Sequence, residues 1–589
     1  MAPCAGPGDM LWYAGRREAV VLLGRYRKGI GFVTQEPDVR KVSKKKDGVS
    51  AAVARLRGRF GRIAGRVTRL AVFSAALLMM AVTLADTMVT AMSYGEAGFP
   101  DSYILHDARR YAATGVLYKD LSEPPYNATL YGPPLYWLLA RTVDWGENPF
   151  TGPRIALFAG WSACIALVGY LTSLWVRVRH AGLLGMMLAA GIPAVAPWIL
   201  QLRPDFFGTL FGLLAIVLLH RGGRAGILLA GCCAGVTVTF KVTMVAALAA
   251  GALWLLLRRD FRGLAHFACG AILALGAVLG GFLMSEPRMP GQMAALRQII
   301  PEFRGALGAL QTASAQPVAL LGLAAFPFVL RKGSGRRALL PLYAGLSWAA
   351  AAVTVVQAGG NVNYFIEGLW AMVPLATTAV LLSLRVLRRF PVVDLGLGLA
   401  IAVFFLGGAA RSAGRIPGRL AEISDYNREL RCMQSLVKGA SVMTTIPRLA
   451  LMTPEPAITE PYMVSYQLKN DGRRYSRLRA RLRQGEFDLV VTDIADREYR
   501  GIPFLAAPIR AAMAEGGYAA FCGNSFALVY MRNGDPEGGG MAQSLTASGC
   551  RPMRSAGEGA ELWPGRSGSG VESGWQIARI RSEDPPAGE

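Results

Sequence analysis

The chain has 589 residues, of which 53% are hydrophobic and only 17% are charged. Soluble globular proteins carry about 25% charged residues, so this composition excludes an ordinary soluble protein. An excess of 63 Lys and Arg over 39 Asp and Glu gives a net charge of +24. In a soluble chain that charge would indicate nucleic-acid binding. Here most basic residues stand in short loops between apolar runs, as in membrane proteins that obey the positive-inside rule.

The N-terminal segment, residues 1–68, is basic and mixed, with clusters such as Lys41–Lys46. The first long apolar run begins only near Leu70, so the sequence predicts no cleavable signal peptide. We interpret 1–68 as a mostly disordered cytoplasmic segment held near anionic lipid.

Apolar runs dominate residues 69–410, and most have about the 17–25 residues that cross a hydrocarbon core. An open sheet would leave backbone groups unpaired in lipid, and the runs lack the alternation typical of a barrel. We therefore predict an all-α polytopic membrane protein with about 11 transmembrane helices, a large first outward loop and a small C-terminal α/β domain. The predicted spans are 69–91, 153–176, 181–200, 205–220, 225–240, 241–257, 263–284, 316–331, 338–357, 366–385 and 391–410.

The basic loops predict the orientation of these spans. With a cytoplasmic N-terminus, alternate loops should carry positive charge, and five of them do. These loops are Arg177–His180, His220–Arg224, Arg258–Arg262, Arg331–Arg337 and Arg385–Arg389. The same alternation places loops 92–152, 285–315 and 358–365 and the C-terminal region outside.

The C-terminal region, residues 411–532, is predicted to form the outward α/β domain. Phe487–Asp493 and Ser525–Met531 have the pattern of strands, and Ile509–Glu515 that of a helix. The tail 533–589 is rich in Gly, Ser and Pro, so we interpret it as disordered.

The outward loop 92–152 combines acidic, stiff and aromatic segments. Asp101 opens a stretch with helical period, on which Asp107 and the neighbouring Arg109 and Arg110 are expected to face solvent. Pro124–Trp137 (PPYNATLYGPPLYW) is too rich in proline for a lipid-facing helix and too stiff for a linker. Its last two prolines allow a helix to begin just after them, so we expect it to return to the membrane with aromatic side chains at headgroup depth.

Several motifs resemble the C-superfamily of integral membrane glycosyltransferases, in particular bacterial protein O-mannosyltransferase-like and lipid A aminoarabinose transferase-like proteins. The similarity covers roughly residues 69–410, and Val242 stands where the family's Lys-Gln-Thr element has Gln. The motifs are the acid after the first span, Arg109–Tyr118, Tyr131–Tyr136, the Arg-x-Asp element in Gln201–Asp205, Phe240–Thr243 and the outward loop Gly359–Glu367.

The resemblance implies that a polyprenyl-phosphate sugar is the donor and that a glycan, lipid or protein is the acceptor. Transfer would occur on the extracytoplasmic side of the membrane by direct displacement, with a carboxylate as base and cations stabilising the leaving phosphate. Membrane lipid is an expected partner; nucleic acid, a cofactor and a metal are not. The expected location is the bacterial inner membrane, with the N-terminus cytoplasmic and the C-terminal domain outside.

Two acids and two cations are the first candidates for this chemistry. Asp101 is the preferred base, although it could instead cap the loop helix, and Glu96 is the alternative base. Arg203 and Lys241 lie near membrane depth, where charges are costly and usually functional or paired. Their alternatives are a pair between Arg203 and Asp205, and snorkelling of Lys241 to the surface.

The remaining candidates are substrate contacts. Tyr131 and Tyr136 are predicted to contact the sugar or the prenyl chain, with an aromatic belt as the competing interpretation. Asn363, Tyr364 and Glu367 are predicted to contact ligand where a helix begins on the outward side.

The alternative function is a transporter or lipid flippase, which would favour inverted repeats, and the sequence shows no convincing repeat.

Overall fold

A computed structural model of the chain divides into two compact units, Met1–Ile63 and Ala64–Glu589. The candidate site lies in the second unit. The residues that the structure describes are 39–91, 101–120, 123, 129–145, 148–178, 180–296, 303–332, 335–357, 360–387, 391–437, 440–444, 446, 449, 451, 476–493, 507–523, 527–532 and 551–552.

Helices make up nearly all of the described part of the chain before residue 438. Short 3₁₀ helices at Ala196–Trp198, Gly335–Ala338 and Val362–Phe365 connect some of them. The α-helices are α1 (Val39–Ala91), α2 (Asp101–Thr114), α3 (Pro133–Ala140), α4 (Thr151–Val176), α5 (Ala181–Ala190), α6 (Asp205–Arg221), α7 (Arg224–Phe240), α8 (Ala246–Leu257), α9 (Phe261–Ser285), α10 (Met289–Leu296), α11 (Phe303–Ser314), α12 (Pro317–Lys332), α13 (Leu339–Thr354), α14 (Ile366–Leu387) and α15 (Pro391–Val437).

Every predicted span overlaps one of these helices. In the described part of the chain, five helices are long and apolar enough to cross a membrane, or six if the bent pair α11–α12 forms one span. The span predicted at 181–200 is helical only in its first half, because α5 ends at Ala190. Pro193 and Pro197 follow, and proline disfavours helical backbone at the residue before it.

The first and last long helices extend beyond the predicted spans. The prediction of disorder for 1–68 was wrong from Val39 onward, because α1 begins there, in a stretch rich in Ala, Lys and Arg and free of proline. Similarly, α15 continues to Val437, so the predicted domain boundary at 411 falls inside a helix. A Cβ on Gly398 would lie 2.0 Å from Thr68 Cγ2, which shows how closely α15 approaches α1.

Small residues bring α7 and α9 into close contact. A Cβ added to Gly231 would lie 2.0 Å from the backbone oxygen of Phe267, and one added to Gly270 would lie 2.1 Å from that of Leu228. Such small-residue interfaces are typical of helices that associate in lipid, where close packing replaces the hydrophobic effect. This contact fixes α7, and therefore the position of Lys241, which follows directly after its last residue.

A five-stranded sheet follows the helices, in the order β1-β2-β4-β3-β5. Its first pair is parallel and the other pairs are antiparallel. The sheet and its two helices are β1 (Val442–Thr444), α16 (Ser476–Arg483), β2 (Leu489–Asp493), α17 (Ala507–Glu515), β3 (Tyr518–Gly523), β4 (Ala527–Arg532) and β5 (Arg551–Pro552). The two predicted strands and the predicted helix are present, whereas β5 lies inside the tail predicted to be disordered. There Arg551 pairs with Gly523.

A second hydrophobic core, separate from that of the long helices, lies under α2 and α3. Tyr103, Ile104 and Leu135 are fully buried in it, and Leu202 and Phe240 from the neighbouring segments pack there too. This core docks the loop containing α2 and α3 onto the ends of α6 and α7.

Candidate active site

Asp101 is the first residue of α2 and is completely buried. Its Oδ1 accepts a hydrogen bond of 2.9 Å from the backbone amide of Leu202. A buried carboxylate requires such donors because its desolvation is costly. The bond ties the start of α2 to the segment that carries Arg203.

A buried ion pair joins the ends of two helices. Lys241 Nζ lies 2.9 Å from Asp205 Oδ1, and the two side chains are only 8% and 5% exposed. Asn363 Nδ2 lies 3.3 Å from each oxygen of this carboxylate, and the Lys241 ammonium lies 3.8 Å from the centre of the Tyr364 ring. Lys241 therefore does not snorkel to the surface, and the ion pair of Asp205 is with Lys241 rather than with Arg203.

Local sequence explains why these groups meet. Pro204 precedes Asp205, which opens α6, where the helix dipole favours a carboxylate. Lys241 has extended backbone and ends α7. Asn363 lies in a 3₁₀ helix whose start is capped by the side chain of Asn361, which accepts a 2.7 Å hydrogen bond from the backbone amide of Val362.

Arg203 lies beside this pair and contacts neutral groups. Its Nε donates to Gln201 Oε1 at 2.9 Å, and its Nη1 donates to the Tyr131 hydroxyl at 3.3 Å. The guanidinium also lies 4.9 Å from the centre of the Trp198 ring. Arg203 interacts electrostatically with both Asp101 and Asp205, so the structure brings the predicted acid and the predicted cations into one region.

The stiff aromatic segment reaches this region through Gly132. The amide of Gly132 donates to the Phe240 carbonyl at 3.2 Å, and a Cβ on Gly132 would lie 1.7 Å from the Thr239 carbonyl oxygen. Only glycine permits this approach, which places Tyr131 next to the end of α7. Tyr136 is fully buried, and its hydroxyl accepts a 3.4 Å hydrogen bond from the Tyr131 amide. It is a core residue rather than the predicted ligand contact.

A polar cavity opens beside the ion pair, between α6, α13 and α14. Three predicted ligand contacts, Asn363, Tyr364 and Glu367, line it together with Lys241, and the Tyr343 hydroxyl donates to Glu367 Oε1 at 2.9 Å. The remaining lining residues are Asp205, Thr209, Thr243, Met244, Ser347, Ala350, Ala351 and Thr354.

The sequence analysis did not single out the hydroxyl groups of this cavity. Thr209 and Ser347 stand inside apolar runs. For Thr209 the sequence did offer one signal, helical spacing, because Thr209 follows Asp205 by one turn. Asp101, Arg203 and Tyr131 are not among the lining residues, and Glu96 lies outside the described residues.

A second polar cluster lies under α2 and corrects two predictions. Asp107 is buried rather than solvated, 2.9 Å from Arg110, which is mostly buried as well. The Thr129 hydroxyl donates to Asp107 at 3.2 Å. Burial raises the pKa of Asp107 above its ordinary value, and the charges of Arg110 and Lys119 oppose this rise. The helix period alone did not reveal that α3 and the chain around Thr129 cover this face.

Lys119 belongs to the same cluster and was also missed. Its side chain is 7% exposed, and Nζ donates to the Glu123 carbonyl at 2.6 Å. Burial, followed by repulsion from Arg110, lowers the pKa of Lys119 to about 6.

Two side chains from the α9–α10 region hold the segment that carries Lys119. The Glu286 carboxylate accepts hydrogen bonds from the backbone amides of Leu117 and Tyr118, the latter at 3.0 Å. Gln292 accepts from the Thr129 amide at 3.0 Å and donates to the Lys119 carbonyl. Side chains thus replace the backbone partners that this irregular buried segment lacks.

The part of the chain that the structure describes has no group of three His, Cys, Asp or Glu side chains arranged to hold a metal ion. No family model matches the sequence, and no curated protein matches it. Solved structures do match.

The structure of ArnT from Cupriavidus metallidurans bound to undecaprenyl phosphate aligns with a TM-score of 0.55 at 12% identity, covering 78% of this chain and 98% of that one. The chain therefore has the fold of ArnT. The apo structure of the same ArnT aligns with a TM-score of 0.53 at 12% identity, covering 77% and 97% of the two chains. The fold resemblance predicted from sequence is therefore confirmed, and at this identity the likeness concerns the fold alone.

Proposed function

We propose that this chain is a membrane glycosyltransferase that moves a sugar from a polyprenyl-phosphate donor to an acceptor hydroxyl. The observation that carries this proposal is the buried cluster of Asp205, Lys241 and Asn363, held at helix ends beside a polar cavity, with the half-buried Arg203 next to it. The fold is that of ArnT, one structure of which contains undecaprenyl phosphate. Buried charges at such positions are costly and are usually retained for function.

The reaction is a direct displacement at the anomeric carbon. The acceptor oxygen forms a bond to that carbon while the bond to the phosphate oxygen breaks, and the leaving polyprenyl phosphate takes the electron pair. Asp101 accepts the proton of the acceptor hydroxyl. Cationic side chains stabilise the negative charge that develops on the phosphate.

Arg203 is the first phosphate ligand in this proposal. Lys241 is already neutralised by Asp205 at 2.9 Å, whereas the hydrogen bonds of Arg203 run to the neutral side chains of Gln201 and Tyr131. An incoming phosphate can displace these neutral partners at a lower cost than a carboxylate, and a guanidinium binds phosphate in a bidentate manner. Lys241 is then not a direct ligand of the phosphate. Its ammonium, held between Asp205 and the Tyr364 ring, adds positive potential beside Arg203.

The proposed location is the bacterial inner membrane, with transfer at its outer side and the N-terminus in the cytoplasm. The five basic loops support this orientation. The acceptor is a glycan, lipid or protein reached from that side.

The test uses purified protein in vesicles with undecaprenyl-phosphate sugars as donors. Asp101→Asn keeps an oxygen that can accept from the Leu202 amide but removes the charge, so we expect normal folding and a loss of transfer of about 100-fold or more. Asp101→Ala removes the hydrogen bond as well and should also lower stability by about 1–3 kcal/mol.

Full transfer by the Asn variant would overturn the base assignment and leave Asp101 with a capping role. Passage of lipid or solute through the wild-type vesicles without any sugar transfer would instead support a transporter or flippase and overturn the proposed enzyme.

A further inference from the structure

A second tier of polar groups lies one helical turn beyond the Asp205–Lys241 pair. Thr209 follows Asp205 by four residues in α6, and Glu367 follows Asn363 by four residues at the start of α14. Four residues of helix advance by about 6 Å. Both side chains line the same cavity as the ion pair, so the cavity continues from the ion pair to a second level of polar groups.

Two groups that line this cavity, one at the level of the ion pair and one in the second tier, have unused hydrogen-bonding capacity. The Thr209 hydroxyl is fully buried and Asn363 is 2% exposed, and neither Thr209 Oγ1 nor Asn363 Oδ1 has a partner among the described residues. The amide nitrogen of Asn363 donates to Asp205, which leaves its oxygen for a different donor. Each unpaired buried group costs about 1–3 kcal/mol, and such groups in a native fold call for an explanation such as a ligand.

Glu367 is the third group of this tier, and Gly212 of α6 leaves space for its carboxylate. Its Oε1 accepts from the Tyr343 hydroxyl at 2.9 Å. A Cβ on Gly212 would lie 3.2 Å from Glu367 Oε1 and 3.3 Å from the Tyr343 hydroxyl oxygen. Glycine at this position of α6 therefore leaves the carboxylate room to hydrogen-bond without crowding.

We propose that this inner tier is the subsite that binds the hydroxyl groups of the transferred sugar, and that Glu367 and Thr209 determine which sugar is accepted. The inference rests on the proposed function and deepens it. A polyol supplies what the three groups lack: O–H donors for Glu367 and Asn363 Oδ1, and an acceptor for the Thr209 hydroxyl.

The other parts of the donor fit this tier poorly. A prenyl chain would leave the same polar atoms buried and unpaired. A phosphate would meet the Glu367 carboxylate, which has no cationic partner within ion-pair distance among the described residues, and like charges at close range repel. The sugar is the part of the donor whose chemistry matches.

The experiment compares Thr209→Val and Glu367→Gln with wild type over a panel of undecaprenyl-phosphate monosaccharides. Thr377→Val is the matched control, because Thr377 is also fully buried but its hydroxyl donates to the Val373 carbonyl of its own helix, and it does not line the cavity. Transfer is followed at varied donor concentration, and thermal stability is measured with and without donor.

We expect Thr209→Val to raise the donor KM about tenfold, which corresponds to about 1.4 kcal/mol. Without donor this variant should be at least as stable as wild type, because an unpaired hydroxyl has been removed, yet donor should stabilise it less. Glu367→Gln should change the order of preference among the sugars, since hydrogen-bonding sites discriminate strongly between hydroxyl patterns. Thr377→Val should change neither the donor KM nor the order of preference among the sugars.

If wild type transfers sugar while both variants keep the wild-type KM and sugar preference, the tier holds only water and the subsite is refuted, although the proposed function stands. If wild type transfers none of the sugars, the proposed function fails and the subsite fails with it.

Discussion

Lys241 and Asp205 form a buried ion pair, with 2.9 Å between Nζ and Oδ1, although they stand at the ends of two different helices. Removal of one partner leaves the other charge buried and uncompensated, which costs about 3–5 kcal/mol. Lys241→Met should therefore lower the free energy of unfolding by about that amount, and Asp205→Asn added to it should recover part of the loss. Unfolding in detergent measures the stability of the single and the double variant, and both variants should lose transfer.

An exposed pair provides the control for this prediction. Arg481 and Glu486 lie 2.7 Å apart, with side chains 29% and 41% exposed, and such pairs contribute less than about 1 kcal/mol. Arg481→Met should therefore leave stability and transfer nearly unchanged. An equally small effect for Lys241→Met would contradict the central importance of the buried pair.

Gly132 should tolerate no side chain. An added Cβ would lie 1.7 Å from the Thr239 carbonyl oxygen, so Gly132→Ala should force Tyr131 away from Arg203. We expect a destabilisation of about 1–3 kcal/mol and a loss of transfer greater than tenfold. Gly308→Ala is the control, because a Cβ there meets nothing within 4 Å and alanine favours helix. Wild-type transfer by Gly132→Ala would show that the position of Tyr131 is unimportant.

Glu286 should hold the segment that carries Lys119. Glu286→Ala leaves the amides of Leu117 and Tyr118 without their acceptor, at a cost of about 1–3 kcal/mol for each buried group. Hydrogen exchange at these two amides should become at least about tenfold faster. Ser285→Ala is a suitable neighbour control, because Ser285 is exposed and its hydroxyl donates to the Gly281 and Phe282 carbonyls of its own helix. Unchanged hydrogen exchange in Glu286→Ala would show that Glu286 does not hold this segment in place.

Lys119 should make stability depend on pH. Burial lowers the pKa of Lys119 from 10.5 to about 6, so between these values the unfolded chain binds the proton and the folded chain does not. The contribution of this residue to the free energy of unfolding therefore rises with pH across that window. Lys119→Met should abolish this part of the rise, measured as the difference in melting temperature between the two proteins from pH 6 to 9. Parallel curves would show that Lys119 keeps its charge when folded.

The sequence determined the helices of this protein, because apolar runs long enough to cross lipid have few stable alternatives to a helix. Pro133 and Pro134 also indicated the start of α3 to within two residues. Local signals did not predict the full length of α1 or α15, since nothing in a polar extension distinguishes a continuing helix from a flexible segment.

Only the tertiary structure decided which polar groups meet. The sequence placed Arg203 two residues before Asp205 and suggested a pair, whereas packing of α7 against α6 brings Lys241 to that carboxylate instead. Asp107 has the spacing of a solvated helix face and is nevertheless buried, because distant segments cover it. The spacing of hydrophobic residues indicates which face of a helix is turned toward apolar surroundings. The partners in an ion pair depend instead on contacts between residues far apart in the chain.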